Sequence, residues 1–195
     1  MWGKENAYEG CHVETQNAGL VEIVCTNEMQ RNDLVALLSG ADKDRGVCVL
    51  GDLNTGEQIT EYKKKVDVID LERLDSSLSV RNYLVFYTMV MGIYNAKTIE
   101  LMEQLLEELE MKYVIQKSVN DLNKIEKIIV RCLAAHSKKI ICLICKNLLE
   151  DLEQIQREKL FEFLKKYFST KECLCLLVEG KQIGRREILD EVLVI

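Results

Sequence analysis

The sequence predicts an α/β fold with a mostly parallel sheet and an inserted block of helices. Two observations support this prediction: short, continuously apolar runs recur along the chain, and segments with helical periodicity separate them. Strands that are apolar at every position are typical of a parallel sheet covered on both faces. The middle of the chain, residues 78–135, shows only helical patterns. We therefore predict a single domain over residues 1–195 that contains a helical subdomain.

Five apolar runs and five periodic segments make up the predicted elements. The predicted strands are residues 20–25, 47–50, 140–145, 173–178 and 192–195. The predicted helices are residues 33–39, 80–94, 98–113, 124–135 and 153–168. The predicted helix at residues 98–113 shows helical periodicity most clearly, because Ile99, Met102 and Leu106 recur at helical spacing and glutamates occupy the opposite face.

Composition and charge argue against several classes of function. The chain has 195 residues, with 26 lysines and arginines against 32 acidic residues and a formal net charge of -6. Nucleic acid is not an expected partner, since phosphate contacts need clustered basic side chains. The longest apolar stretch, residues 78–94, includes Arg81 and is shorter than the roughly 20 residues that span a bilayer. The first ten residues lack the apolar core of a signal peptide, so a cytoplasmic protein is expected.

The chain contains eight cysteines, most of them inside apolar runs. In a cytoplasmic protein such thiols are expected to be reduced and buried. Cys142 and Cys145 have the CxxC spacing of metal and redox sites, and Cys173 and Cys175 are predicted on another strand of the sheet. In an extended strand, however, Cys142 and Cys145 point to opposite faces. Structural thiols are the favoured interpretation, and a thiol or metal binder is the minor alternative.

Read in order, the elements resemble the nucleotide-binding domain of ABC transporters. Residues 32–50 resemble the family's helix after the phosphate loop with the following turn and strand. Residues 77–92, SLSVRNYLVFYTMVMG, resemble the stretch LTVRENLxFYxxLxG that opens the helical subdomain. Residues 128–133 stand where the family has IARAL, residues 156–166 match the helix after the D-loop, and residues 176–195 match the region through the next strand. The resemblance implies a P-loop NTPase-like (ABC ATPase) core with a mostly parallel sheet and a helical subdomain.

When the chain is matched to the family in this order, the residues at the position of the family's phosphate loop differ from the loop's motif. Such a loop needs glycines whose amides wrap the phosphates, a lysine for the β- and γ-phosphates and a hydroxyl group for Mg²⁺. Residues 25–33, CTNEMQRND, contain no glycine. Arg31 stands in place of the lysine, and Asn32 and Asp33 stand in place of the hydroxyl pair. Phosphate binding of the family's kind is therefore not expected.

The other catalytic motifs are replaced as well. The signature motif falls on residues 119–123, which contain neither glycine nor serine. The acidic pair of the Walker B strand falls on Ile144 and Cys145, and the switch histidine falls on Gly180. No catalytic residue and no metal ligand is predicted, so the chain is interpreted as a pseudo-ATPase.

Four residues remain as candidate nucleotide contacts by their position in the family's motifs. Trp2 stands where the adenine-stacking aromatic lies, Asn27 where the phosphate loop often has asparagine, and Asp151 where the D-loop has aspartate. Arg31 would lie at a helix N-terminus, where an anion can bind. No cofactor is expected, and weak binding of ATP and Mg²⁺ is the alternative.

The resemblance predicts a degenerate member that serves as an interaction or regulatory subunit of a bacterial transporter complex. Its implied partners are an ABC transporter membrane subunit, an intact ATPase subunit, or both, with pairing as a homodimer or heterodimer. Its implied location is the cytoplasm, at the inner face of the cell membrane. The enzymatic alternative is a weak or partner-completed ATPase subunit of an exporter.

Overall fold

The computed structural model describes residues 19–42, 46–70, 76–168, 173–184 and 189–195. In this part of the chain, five parallel strands form the main sheet: β1 Leu20–Val24, β4 Val66–Asp70, β5 Cys142–Lys146, β6 Leu174–Glu179 and β7 Glu191–Val194. Their order across the sheet is β4-β5-β6-β1-β7. A separate antiparallel hairpin joins β2, Val49–Leu50, to β3, Leu53–Asn54.

The described residues also form six α-helices. These are α1 Glu28–Leu38, α2 Ile59–Lys65, α3 Val80–Val90, α4 Ala96–Glu108, α5 Lys124–Ser137 and α6 Gln154–Tyr167. Two 3-10 helices, Lys112–Val114 and Val119–Asp121, lie between α4 and α5. The parallel sheet and its helices confirm the predicted α/β fold. None of these helices is long and apolar enough to cross a membrane.

Four of the five predicted strands are strands of the main sheet. The central strands β5, β6 and β1 are buried along almost their whole length, as continuous apolar runs predict. The apolar-run criterion misses β4, because its sequence VDVID carries two aspartates. Asp67 is buried against Arg131 of α5, so an ion pair covers a position where an apolar side chain would be expected.

The predicted buried strand at residues 47–50 is wrong. Val47 and Val49 are 64% and 67% exposed, and only Val49 and Leu50 pair, in a short hairpin that turns at Gly51. Gly51 has a φ of +59°, which favours glycine because other side chains rarely adopt it. An apolar run of four residues therefore does not by itself place a strand in the core.

Three helices differ from their predicted bounds by several residues. α4 ends at Glu108 rather than at residue 113, and Glu110 just beyond it adopts a φ of +57°. α1 begins at Glu28 rather than at residue 33, because the Asn27 side chain caps its N-terminus. α3 ends at Val90 rather than at residue 94. Gly92, two residues beyond this end, adopts a φ of +69°.

The core lies on both faces of the sheet. The smaller cluster, on the α1 side, contains Val21, Ile23 and Cys142, and the larger one contains Leu20 and Cys145 together with the inner faces of α3 to α6. Cys142 and Cys145 thus point to opposite faces of β5, as expected for an extended strand. The seven cysteines of the described residues are free thiols.

Residues 76–137 lie between β4 and β5 and contain the helices α3 to α5. The start of α3 is tied to a later part of this segment: the Val80 amide donates to the Lys117 carbonyl at 2.9 Å, and the Val119 amide donates to the Leu78 carbonyl at 3.0 Å. This segment corresponds to the predicted helical subdomain, whose status as a separate unit stays a prediction.

Candidate functional site

The carboxyl ends of β1, β5 and β6 meet at one edge of the sheet, next to the N-terminus of α1. In parallel α/β sheets, ligands bind in the crevice outside this edge. The residues that leave the three strands there are Cys25, Asn147 and Gly180. We call this region the carboxyl edge.

The connection from β1 to α1 has only three residues, Cys25 to Asn27. The Asn27 Oδ1 accepts hydrogen bonds from the amides of Met29 at 2.9 Å and Gln30 at 3.3 Å. Free amides at a helix N-terminus are the groups that would bind an anion. In this structure a side chain of the protein satisfies two of them, and Glu28 adds negative charge in the first turn.

Arg31 turns back toward the end of β1. It is buried, and its Nη1 donates to the Cys25 carbonyl at 2.7 Å. A β-carbon at position 180 would lie 2.7 Å from this Nη1 and 2.5 Å from Oε1 of Glu150. Gly180 therefore leaves the space that the Arg31 guanidinium and the Glu150 carboxylate both border. Its own amide donates to Glu150 at 3.1 Å.

Glu179, at the end of β6, is a buried acid at the carboxyl edge that the family's motifs do not identify. It is fully buried, and its Oε1 accepts from the amides of Leu148 at 2.9 Å and Leu149 at 3.2 Å. Burial raises the pKa of Glu179 to about 7 against the lowering effect of these two bonds, and the carboxylates of Glu150 and Glu22 raise it further. The only sequence signal for it is an acidic residue at the end of the apolar run CLCLLV.

Three buried polar atoms at the carboxyl edge have no hydrogen-bond partner among the described residues. They are the Nε of Arg31, the Oδ1 of Asn147 and the Oε2 of Glu179. Buried polar atoms are normally paired, so this edge has one donor and two acceptors that the described residues leave unused.

A cavity of about 490 Å³ opens beside Asn147 and Glu150, below the ends of β4 and β5. Three lysines and three acidic residues line it. Lys146 pairs with Asp70 at 3.6 Å, and Lys124 pairs with Asp151 at 2.8 Å. Because the charges are balanced, the cavity lacks the surplus of positive charge that a triphosphate requires.

The structure describes three of the four candidate nucleotide contacts and places them at two positions. Asn27 and Arg31 lie together at the start of α1, as a helix cap and a buried guanidinium. Asp151 lies at the rim of the cavity with its side chain 82% exposed. A hydrogen bond from Lys124 and the charge of that lysine lower the pKa of Asp151. Trp2 lies outside the described residues.

The positions of the other family motifs carry structural side chains. Ile144 and Cys145 are fully buried on β5, one in each cluster of the core. Asn123, the last residue of the segment at the signature position, caps α5 and forms a capping box with Glu126. These residues shape strands and helix ends, and they offer no carboxylate where the family holds its metal and water.

The metal-binder alternative finds no support in the geometry. The described parts of the chain contain no group of three or more His, Cys, Asp or Glu side chains that could hold a metal ion. Cys142 lies across the sheet from Cys145, Cys173 and Cys175. Burial raises the pKa of Cys142 well above its ordinary value, so its thiolate is disfavoured.

No protein-family model and no curated protein matches the sequence. Solved structures do resemble the chain. MJ1267, an ATP-binding cassette of an ABC transporter in its ADP conformation, has a TM-score of 0.75 at 13% identity over 94% of this chain and 78% of its own. For cbiO1 from Clostridium perfringens, part of the ABC transporter complex cbiONQ, the TM-score is 0.74 at 13% identity over 93% and 75%.

An ATP-binding subunit of another ABC transporter gives a TM-score of 0.73 at 15% identity, over 92% of this chain and 75% of that subunit. At this level of identity the likeness concerns the fold. It agrees with the resemblance of the sequence motifs, which spans the same elements in the same order. The chain has the fold of the ATP-binding cassettes of ABC transporters.

Proposed function

We propose that the chain is a degenerate ABC ATP-binding-domain-like protein that does not hydrolyse ATP and acts as an interaction or regulatory subunit of a transporter complex. The observation that carries this proposal is the occupied N-terminus of α1. Asn27 caps the amides there, and the buried Arg31 donates to the Cys25 carbonyl.

The three-residue connection before α1 explains why the position is unsuited to a triphosphate. A phosphate loop wraps its ligand with successive backbone amides, and glycines allow that backbone to come close. Here the helix starts earlier, and its first free amides bond to Asn27. Binding ATP in the family's manner would require this cap to open and Arg31 to leave its carbonyl.

The proposed interaction with a transporter rests on the exposed face of α3. Phe86, Met89 and Val90 are 57%, 55% and 61% exposed and lie at i, i+3 and i+4, so they share one side of the helix. Met91 and Tyr94 continue this apolar surface beyond the helix end. A contiguous exposed apolar patch indicates a binding surface.

In the family that the sequence resembles, the helical subdomain meets the coupling helices of the membrane subunit. One of the similar structures, cbiO1, is part of a transporter complex. We therefore propose a transporter membrane subunit as the partner of α3, with an intact ATPase subunit as a further partner. The proposed location is the cytoplasmic face of the cell membrane.

Hydrolysis and nucleotide binding by the purified chain test the proposal. We expect no phosphate release from ATP·Mg²⁺ above buffer, and no rise in Tm at millimolar ATP·Mg²⁺, since a ligand of the folded state would stabilise it by mass action. Steady hydrolysis that is lost in Asn27→Ala or Arg31→Ala would contradict the proposal, because it would place turnover in this chain.

The partner is tested with the same chain. Co-purification with candidate membrane and ATPase subunits is expected to depend on α3, so Phe86→Ser with Met89→Ser should abolish it. The matched control is Ile155→Ser on α6, an exposed apolar residue away from this face. Equal loss in both variants would contradict a specific role for α3.

A weak or partner-completed ATPase is the second candidate, and the position of Arg31 favours it. The guanidinium lies in the first turns of α1, and its Nε has no partner among the described residues. In that case ATP·Mg²⁺ raises the Tm and Arg31→Ala removes the rise.

A further inference from the structure

Asp67, Arg131 and Tyr87 join three separate elements of the fold through one buried cluster. Asp67 lies on the edge strand β4, Arg131 on α5 and Tyr87 on α3. Nη2 of Arg131 donates to Oδ1 of Asp67 at 2.7 Å, and Nη1 donates to Oδ2 at 3.2 Å. The hydroxyl of Tyr87 donates to the same Oδ2. The carboxylate thus accepts a bidentate arginine and a tyrosine at once.

The Arg131 guanidinium has two further contacts. Its Nη2 also approaches the Val68 carbonyl at 3.3 Å, and its guanidinium lies 4.8 Å from the centre of the Tyr87 ring. The side chains of Arg131 and Asp67 are only 14% and 10% exposed. A planar guanidinium that is fixed by a carboxylate, a carbonyl and a ring has little freedom to rotate.

The charges around this cluster favour the ionised carboxylate. Burial alone would raise the pKa of Asp67, but the charge and hydrogen bonds of Arg131, the hydroxyl of Tyr87 and the charge of Lys138 bring it below its ordinary value. Tyr83, one turn before Tyr87 on α3, also faces the pair, and burial raises its pKa. A buried ion pair of this kind adds little net stability over apolar side chains of similar volume, because both charges lose their water.

The rotation of α3 about its axis decides what its exposed face presents. Tyr87 is buried, whereas its neighbour Phe86 is exposed. Successive residues of a helix are turned by about 100°, so the direction of the Tyr87 side chain sets the directions of Phe86, Met89 and Val90. The N-terminal backbone bonds of α3 go to residues 115–119, within the helical segment itself. The bond from Tyr87 to Asp67 instead reaches the sheet.

We propose that Asp67, Arg131 and Tyr87 form an orienting joint that fixes the rotation of α3 relative to β4 and thereby the direction of the apolar face. The joint depends only on contacts within the chain, so it operates whichever partner that face meets. Its contribution is to the geometry of α3 more than to the overall stability of the fold.

Hydrogen exchange of the full chain, followed by mass spectrometry, tests the joint. In Tyr87→Phe the ring and its contact with Arg131 remain and only the hydroxyl is lost. We expect amides of α3 to exchange about tenfold faster or more, since a hydrogen bond to a charged group is removed, with smaller changes in α6. Tyr83→Phe on the same helix is the matched control. Equal effects in the two variants, or none in Tyr87→Phe, would overturn the proposal.

A second variant separates orientation from stability. The triple change Asp67→Leu, Arg131→Met and Tyr87→Phe replaces the joint by apolar side chains. We expect a Tm within a few degrees of the wild type and α3 exchange that is still accelerated. A stable triple variant with wild-type protection of α3 would refute an orienting role. If the triple variant does not fold, the comparison of Tyr87→Phe with Tyr83→Phe decides the question.

Discussion

Two arginines of this protein, the largely buried Arg131 and the buried Arg31, have very different surroundings. Arg131 binds the Asp67 carboxylate with two nitrogens, the Val68 carbonyl and the face of the Tyr87 ring. Arg31, at the position of the family's phosphate-loop lysine, donates to the Cys25 carbonyl and leaves its Nε unpaired among the described residues. The first site is a completed ion pair inside the structure. The second is a buried guanidinium without a full set of partners among the described residues.

The carboxyl edge and the helical face are therefore maintained by different interactions. At the carboxyl edge, the hydrogen-bonding groups of Arg31, Asn147 and Glu179 are only partly paired among the described residues. Near β4, the charges of Asp67 and Arg131 neutralise each other, and two hydrogen bonds set their relative position. Substitutions at the two places should therefore differ in size and in their dependence on pH.

The largest expected effect comes from removing the arginine of the completed pair. Arg131→Met leaves the Asp67 carboxylate buried without its cation, and we expect the free energy of unfolding to fall by about 3–5 kcal/mol. Arg31→Met is the matched change at the other site. It removes one bond to a carbonyl and should cost about 1 kcal/mol. Urea unfolding of both variants measures the contrast, and equal losses would contradict it.

The raised pKa of Glu179 should make the stability of the protein depend on pH. Its folded pKa of about 7 lies above its unfolded value, so the protonated carboxyl stabilises the native state. This contribution is complete below pH of about 4 and is lost as the pH rises through about 7. Glu179→Gln keeps an acceptor for the Leu148 and Leu149 amides without the charge. We expect the free energy of unfolding of this variant to exceed that of the wild type at pH 8 by on the order of 3 kcal/mol and to match it near pH 4.

Chemical denaturation across this pH range measures the Glu179 effect. Glu100→Gln, at an exposed carboxylate of α4 that is not among the groups acting on Glu179, is the control. A wild type and a Glu179→Gln variant with parallel pH profiles would show that Glu179 titrates normally in the folded protein.

The smallest expected effect concerns the cap of α1. Asn27→Ala frees the amides of Met29 and Gln30 and should lower stability by about 1 kcal/mol. Asn95→Ala removes the corresponding cap of α4, where Asn95 accepts from the Lys97 amide at 2.9 Å, and should cost a similar amount. Thermal unfolding measures both. If only Asn27→Ala also introduced a Tm shift with inorganic phosphate, the cap would be shown to block an anion site at α1.

Most of the fold could be predicted from the sequence because its central strands are continuously apolar. That pattern arises from burial on both faces, and it identified β1, β5 and β6. It failed at β4, where the core position is filled by Asp67 and its distant partner Arg131. It failed again at residues 47–50, where apolar side chains are exposed on a hairpin.

The candidate site could be predicted only in part. From the family's motifs, Asn27 is expected in the phosphate-loop segment and Arg31 at a helix N-terminus, and in the structure both lie at the start of α1. The motifs could not show that Asn27 caps the helix, that Arg31 turns inward, or that Glu179 is buried with a raised pKa. Each of these depends on atoms far apart in the chain, such as Leu148 and Glu179, which only folding brings together.

Local sequence patterns suffice for the alternation of strands and helices, for the resemblance to ABC ATP-binding domains, and for the expectation that the catalytic side chains are replaced. These are properties of local patterns, since periodicity and motif identity need no neighbours in space. The tertiary structure decided which charges are neutralised. Asp67 and Arg131 are 64 positions apart and form a buried pair, whereas Arg31 stays partly unpaired, because the energy of a buried charge depends on what the whole fold places beside it.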